Sequence, residues 1–224
     1  TMPKTTLKPQ HAIPQAATCL FARKGYKDTA MGELSRMTGA AEGTIFYHFK
    51  NKPEIFLTTL RNLKEDILPE FERYRKAESE KTGLDMVEET VGFYLYMTKS
   101  REDLFSLLHQ RYAYELAETN PECRDILEAI YDCFIDIFER AIDAGQRDGS
   151  IDPAITARKS ALIVFSLADS MVRFRMNNLY DVGALYSEMI ASCRRMLENR
   201  GGMQERQKPQ ATAIKDGSEV QRTA

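Results

Sequence analysis

The 224 residues contain four cysteines and three histidines, few groups with which to hold a soft metal. Cys19, Cys123, Cys133 and Cys193 are widely separated and lie within apolar helical patterns, so they read as small buried hydrophobes rather than a disulfide framework or zinc cluster. His11, His48 and His109 belong to no His-Glu-x-x-His or Cys-x-x-Cys pattern, and neither metal nor cofactor is expected. No apolar run reaches the ~18 residues of a membrane span. Nothing resembles a charged start followed by an apolar signal core, so a cytoplasmic protein with no membrane partner is expected. Alternating β-branched runs between hairpin turns are missing over any useful length, which argues against a sheet. An activated nucleophile or a matched acid–base pair is also missing, so the chain is not expected to be an enzyme.

What is present is an ordinary folded composition, 43% hydrophobic and 29% charged. The length suits a small domain joined to a larger one. The net charge of −2 hides an asymmetry: residues 1 to 52 carry eight Lys or Arg against three Asp or Glu, which is +5 and leaves −7 for the rest. A basic head on an acidic body points to a polyanionic partner for the head alone.

Helical periodicity runs through almost the whole chain. Residues 1–10, with two prolines, read as a flexible arm. Ile13, Ala16, Ala17, Leu20 and Phe21 then space as a first helix ending at Gly25, with Pro14 expected in its opening turn. Thr29 is positioned to cap a short second helix with Met31, Leu34 and Met37 inward, and Gly39 supplies a left-handed terminus. Ile45 and Phe49 resume the apolar spacing in a third short helix, which completes a helix-turn-helix pattern. Asn51, Pro53 and Glu54 mark the start of a long fourth helix whose stripe is Phe56, Leu60, Leu63, Ile67, Phe71 and Tyr74. Pro69 is expected to kink or end it. After the charged stretch 76–81, further amphipathic segments are expected over 84–99, 102–118, 121–144, 153–176 and 182–198. Asn120-Pro121 and Asp152-Pro153 serve as start signals, and 147–150 reads as a turn. Residues 201–224 read as a disordered tail.

Ile13, Ala16-Ala17, Leu20-Phe21, Gly25-Tyr26, Thr29, Glu33-Leu34, Gly39, the run Gly43 to Phe49 and Lys50-Asn51-Lys52 together resemble the N-terminal signature of the TetR family of bacterial regulators. The resemblance covers about forty residues and fades after the fourth helix. It implies an all-α fold: a helix-turn-helix DNA-binding domain over 11–52, then a helical ligand-binding and dimerisation domain over 53–200. It also implies a repressor that a small molecule releases from a palindromic double-stranded operator.

The residues support the same assignment. Gly43 and Thr44 are small enough to let a recognition helix approach a duplex, and Ile45 and Phe49, four apart, would anchor its buried face. Thr44, Tyr47 and His48 are left to face outward. Sequence reading is assigned to Glu42, Gly43, Thr44 and Phe46, the last suited to a thymine methyl. Thr29 and Lys52, at helix starts, resemble the family's phosphate contacts. Ala40-Ala41 stands where a capping serine is usual, which forfeits about 0.5–2 kcal/mol of local stability.

In the body, Phe93, Tyr96, Met97, Phe105, Leu108, Tyr112, Tyr131, Phe134, Phe138 and Phe165 suit a pocket for an apolar or aromatic effector, and equally suit an ordinary core. Asp169 and Arg173, one turn apart, either orient that effector or form an internal ion pair. Residues 161–172 are apolar on nearly every face. With Leu185, Met189, Ile190, Cys193 and Leu197 of the last segment, Leu162 and Val172 are expected in a four-helix homodimer interface. The alternative is a helical ligand-binding or adaptor protein whose helix-turn-helix no longer binds DNA.

Overall fold

The computed structural model describes residues 8–75 and 81–199. Among these residues the chain forms ten α-helices and no strand; one isolated backbone bridge joins Ile151 to Glu198. The charged stretch 76–80 and the tail from 201 lie outside the described residues, as do residues 1–7 of the arm.

Helices α1 (Pro9–Lys24), α2 (Met31–Thr38) and α3 (Glu42–His48) form the N-terminal unit. Ile13, Ala17, Phe21, Leu34, Ile45 and Phe49 close its core against Ile55 and Phe56 of α4 (Lys52–Tyr74). Helix α1 begins earlier than its spacing predicts, with Pro9 in its first turn, so Pro14 lies inside it. The carbonyl that Pro14 cannot serve belongs to Gln10, which is exposed, so the group is not left unpaired in the core. Gly25, at φ 90°, and Gly39, at φ 69°, end α1 and α2 in conformations that favour glycine. Asn51 Oδ1 accepts the Glu54 amide at 2.9 Å and caps α4 as expected. Pro69 neither ends α4 nor stops it reaching Tyr74; Glu65, whose carbonyl loses its bond, is on the exposed side.

The body is built from α5 (Gly83–Ser100), α6 (Glu102–His109), α7 (Arg111–Thr119), α8 (Pro121–Asp148), α9 (Ala157–Met176) and α10 (Val182–Leu197). Helix α8 is the central mast, with α4, α5, α7 and α9 packed along it. Asn120 Oδ1 accepts the Cys123 amide at 3.1 Å to cap α8, and left-handed Gly149 ends it four residues beyond the expected point.

Three further features differ from the sequence reading. The segment 102–118 is two helices, because the Gln110 backbone is extended; its side-chain amide bonds the end of α1. Helix α9 starts at Ala157 rather than Pro153, since Asp152 Oδ1 accepts the Ala154 amide in a local turn. Met37 is 51% exposed, so α2 contributes Leu34 alone to the buried core.

Where α5 meets α8 the backbones nearly touch. A Cβ on Gly83 would lie 1.9 Å from the Gly145 nitrogen and 2.7 Å from the Ala141 carbonyl oxygen. Asp148 accepts the Gly83 amide at 2.6 Å and Ser150 Oγ accepts that of Leu84 at 3.2 Å, so α8 also satisfies amides left open at the start of α5.

Candidate nucleic-acid interface and effector region

Helix α3 presents two unlike faces. Ile45 and Phe49 are buried, whereas Phe46 is 47% and Tyr47 84% exposed, a heavy outlay of aromatic surface to water on a seven-residue helix. Glu42 and Gly43 are exposed, and Thr44 and His48 are half-buried at the edges of the same face. A Cβ on Gly43 would meet nothing within 4 Å, so this glycine keeps the approach to the helix open rather than relieving an internal clash. The N-cap of α3 is Ala41 and supplies no side-chain bond, as its sequence implies. The Thr44 amide donates instead to the Ala41 carbonyl at 2.9 Å.

Thr29 and Lys52 are placed differently from the phosphate contacts that the resemblance implies. Thr29 is 2% exposed and its hydroxyl donates to the Gly25 carbonyl at 2.9 Å; the N-cap of α2 is Ala30. Lys52 Nζ donates to the carbonyls of Tyr26 (2.7 Å), Thr29 (2.9 Å) and Lys27 (3.3 Å), and sits 4.5 Å from the Tyr26 ring centroid. An ammonium has three hydrogens, and all three are directed into the α1–α2 loop. Exposed cations of the two helices are instead Lys50, just after α3, and Arg36 on α2. Lys50 was within reach of sequence reasoning as part of Lys50-Asn51-Lys52; only the fold shows which of the two lysines stays free of the loop.

In the body, most expected pocket residues pack on one another. Phe93, Met97, Phe105, Leu108, Phe134 and Phe138 are buried, and Phe165 joins them. Tyr94, which its pattern did not single out, is the hub: its ring lies 5.0 Å from Phe134, 5.2 Å from Phe165 and 6.1 Å from Phe105, all edge-on. Tyr96 faces outward beside Tyr74 at 5.4 Å, away from this cluster. Tyr112 stacks on Tyr26 at 3.7 Å, so it joins the body to the N-terminal unit.

A polar group interrupts the aromatic core. Asp169 accepts from Tyr94 Oη at 2.6 Å and from Arg173 Nε at 2.9 Å, the internal ion pair that their spacing allows. His109, with a side chain only 8% exposed, brings Nε2 to 3.0 Å from Asp169 Oδ1, out of line for a hydrogen bond, and neither ring nitrogen has a hydrogen-bond partner. Burial works to raise the Asp169 carboxyl; the facing His109, the Tyr94 hydroxyl and Arg173 overcome it and hold it down at about 2. Tyr131 shares a 2.6 Å hydroxyl contact with Tyr114, to which Arg173 also reaches at 3.4 Å. Sequence reading passed over Tyr94, His109 and Tyr114. The only signal for His109 was a titratable residue closing the apolar run from Leu104 to Leu108.

The residues expected at a dimer interface divide. Val172, Met189, Ile190, Cys193 and Leu197 are buried within the protomer, where α10 lies on α9 and α5. Leu162 and Leu185 are exposed, as are Ile163 and Leu167 on α9 and Met196 on α10. The helix expected to be buried on every side thus keeps an apolar outer face.

Residues 13–59 match the family model described as bacterial regulatory proteins, tetR family. The fatty acid metabolism regulator protein of Bacillus subtilis is 24% identical over 180 residues, covering 80% of this chain and 90% of that protein. The regulator TtgR of Pseudomonas putida is 25% identical over 168 residues, covering 72% of this chain and 77% of TtgR. Among solved structures, a transcriptional regulator from Saccharomonospora viridis in complex with choline superposes with a TM-score of 0.75 at 20% identity, over 85% of this chain and 98% of that one. FadR from Bacillus subtilis in complex with stearoyl-CoA superposes with a TM-score of 0.67 at 22% identity, over 82% and 96%. With this family's model on residues 13–59, the N-terminal helix-turn-helix unit belongs to the TetR family of bacterial regulatory proteins, and the chain as a whole has the fold of the two regulators just named.

Proposed function

We propose that this regulator is a homodimeric repressor whose α3 helices read a palindromic operator and which a small apolar molecule releases from DNA. The observation that carries the reading is the outer face of α3, where Phe46 and Tyr47 stay exposed while Ile45 and Phe49 anchor the helix. Phe46 is suited to a thymine methyl and Thr44 and Glu42 to base-edge hydrogen bonds; Lys50 and Arg36 take the phosphate role. The exposed leucines and isoleucine of α9 and α10 supply the contact between copies, and a two-fold axis sets two α3 helices about 34–36 Å apart, one turn of duplex. Relatives crystallised with choline and with stearoyl-CoA support sensing of a small molecule through the body.

Mobility-shift titration of the full chain on duplexes from upstream of its own gene tests this. A preferred site with two-fold symmetry, and affinity that falls steeply with salt, is the expected outcome. Equal, salt-insensitive affinity for every duplex would favour an adaptor role for the helix-turn-helix.

A further inference from the structure

His109 is an anomaly in an otherwise satisfied core. Buried polar groups are ordinarily hydrogen-bonded, and both nitrogens of this imidazole lack such a partner. It faces Asp169 on α9, which in turn holds Tyr94 on α5 and Arg173 on its own helix, and Tyr94 packs edge-on against Phe105 and Phe134. Asp169 is already served by Tyr94 and Arg173, so the open hydrogen-bonding capacity lies on the histidine. Arg173 already balances Asp169, so an acid head can accept from the guanidinium hydrogens that Asp169 does not use, whereas an amine would have to displace Arg173 from Asp169.

A way in adjoins this group. Between α7 and α8 lies a cleft of about 310 Å³ lined by Tyr114, Ala117, Leu127 and Tyr131 together with the charged Glu118, Arg124 and Glu128. The paired Tyr114 and Tyr131 hydroxyls sit between that cleft and the Arg173–Asp169–His109 group, and Arg173 touches both sides. We infer that the effector is an apolar molecule with one carboxylate head, which parts the Tyr114–Tyr131 pair and is received by His109 and Arg173 while its body occupies the α7–α8 cleft. This assignment rests on the ligand-released reading above.

The same position explains how occupancy reaches the DNA unit. His109 is the last residue of α6, and the next residue, Gln110, donates through Nε2 to the carbonyls of Phe21 and Ala22, at 3.4 Å each, at the end of α1. A head group that draws His109 moves Gln110 and with it the C-terminus of α1.

Calorimetric titration of the full chain with decanoic acid and 4-phenylbutyric acid, each beside its primary alcohol and primary amine, tests the assignment. The acids are expected to bind about tenfold or more tightly than their partners, the value of one charge-assisted hydrogen bond. His109→Leu is expected to lose that preference while keeping the helical circular dichroism of the wild type. Gln110→Ala is expected to keep acid binding and to lose acid-induced release from DNA. Alcohols or amines that bind as tightly as the acids, a His109→Leu protein that retains the preference, or no binding of either acid by protein that binds its upstream duplex would each overturn the assignment. Acid binding is read without DNA, so a failure of the repressor reading is seen separately in the mobility shifts.

Discussion

Lys52 separates two accounts of the N-terminal unit. By family resemblance it is a phosphate contact; in the structure its ammonium holds the α1–α2 loop through three carbonyls and the Tyr26 ring. Lys52→Met keeps the stem and removes those bonds. Hydrogen bonds from a charged donor contribute about 1.5–3 kcal/mol each when buried, but this group is half-buried and the loop carbonyls regain water, so we expect a total near 2–3 kcal/mol. Burial pushes the Lys52 pKa down, with Asp28 acting the other way, which is a cost already included in that net figure. For a chain of this length the loss corresponds to roughly 5–10 °C in Tm. Thermal melts and salt-resolved DNA titrations should therefore show a lower Tm and an unchanged slope of log Kd against log salt. An unchanged Tm with a slope reduced by about one would refute the structural role and restore the phosphate contact.

Other positions give equally direct expectations. Gly83→Ala drives a Cβ into the α8 backbone and should cost about 3 kcal/mol in urea denaturation. Asp169→Asn should cost about 2 kcal/mol at neutral pH, from a folded pKa held at about 2 against an ordinary value near ~4. Because that pKa is depressed, the wild-type advantage is fully present above pH ~4 and shrinks as the pH falls towards about 2, which paired denaturation curves across this range would reveal. Leu162→Glu with Leu167→Glu places four carboxylates at a two-fold contact and should yield a folded monomer in sedimentation runs, without loss of helical circular dichroism.

The helices and the outward face of α3 were legible because each rests on local periodicity: Ile45 and Phe49 four apart leave Phe46 and Tyr47 on the other side. Asn51 and Asn120 announced their helix starts through chemistry confined to one turn. What sequence could not show depends on distant partners. Lys52 reads as a free cation until the fold brings the carbonyls of Tyr26, Lys27 and Thr29 beneath it. Gln110 has ordinary helix propensity, and only its bonds to α1 reveal why the helix breaks there. Apolar periodicity on α10 marked an inward stripe but could not say whether it turned to its own protomer or to a partner; Cys193 and Leu197, expected between copies, are buried within the protomer.

The most direct measurement of the central claim is amide hydrogen exchange of the full chain with and without its preferred duplex. Slowed exchange confined mainly to residues 42–50 and the start of α2, and abolished by Phe46→Ala with Tyr47→Ala, is the predicted result. Duplex binding that leaves α3 exchanging as fast as before, or that survives the double substitution undiminished, would contradict it.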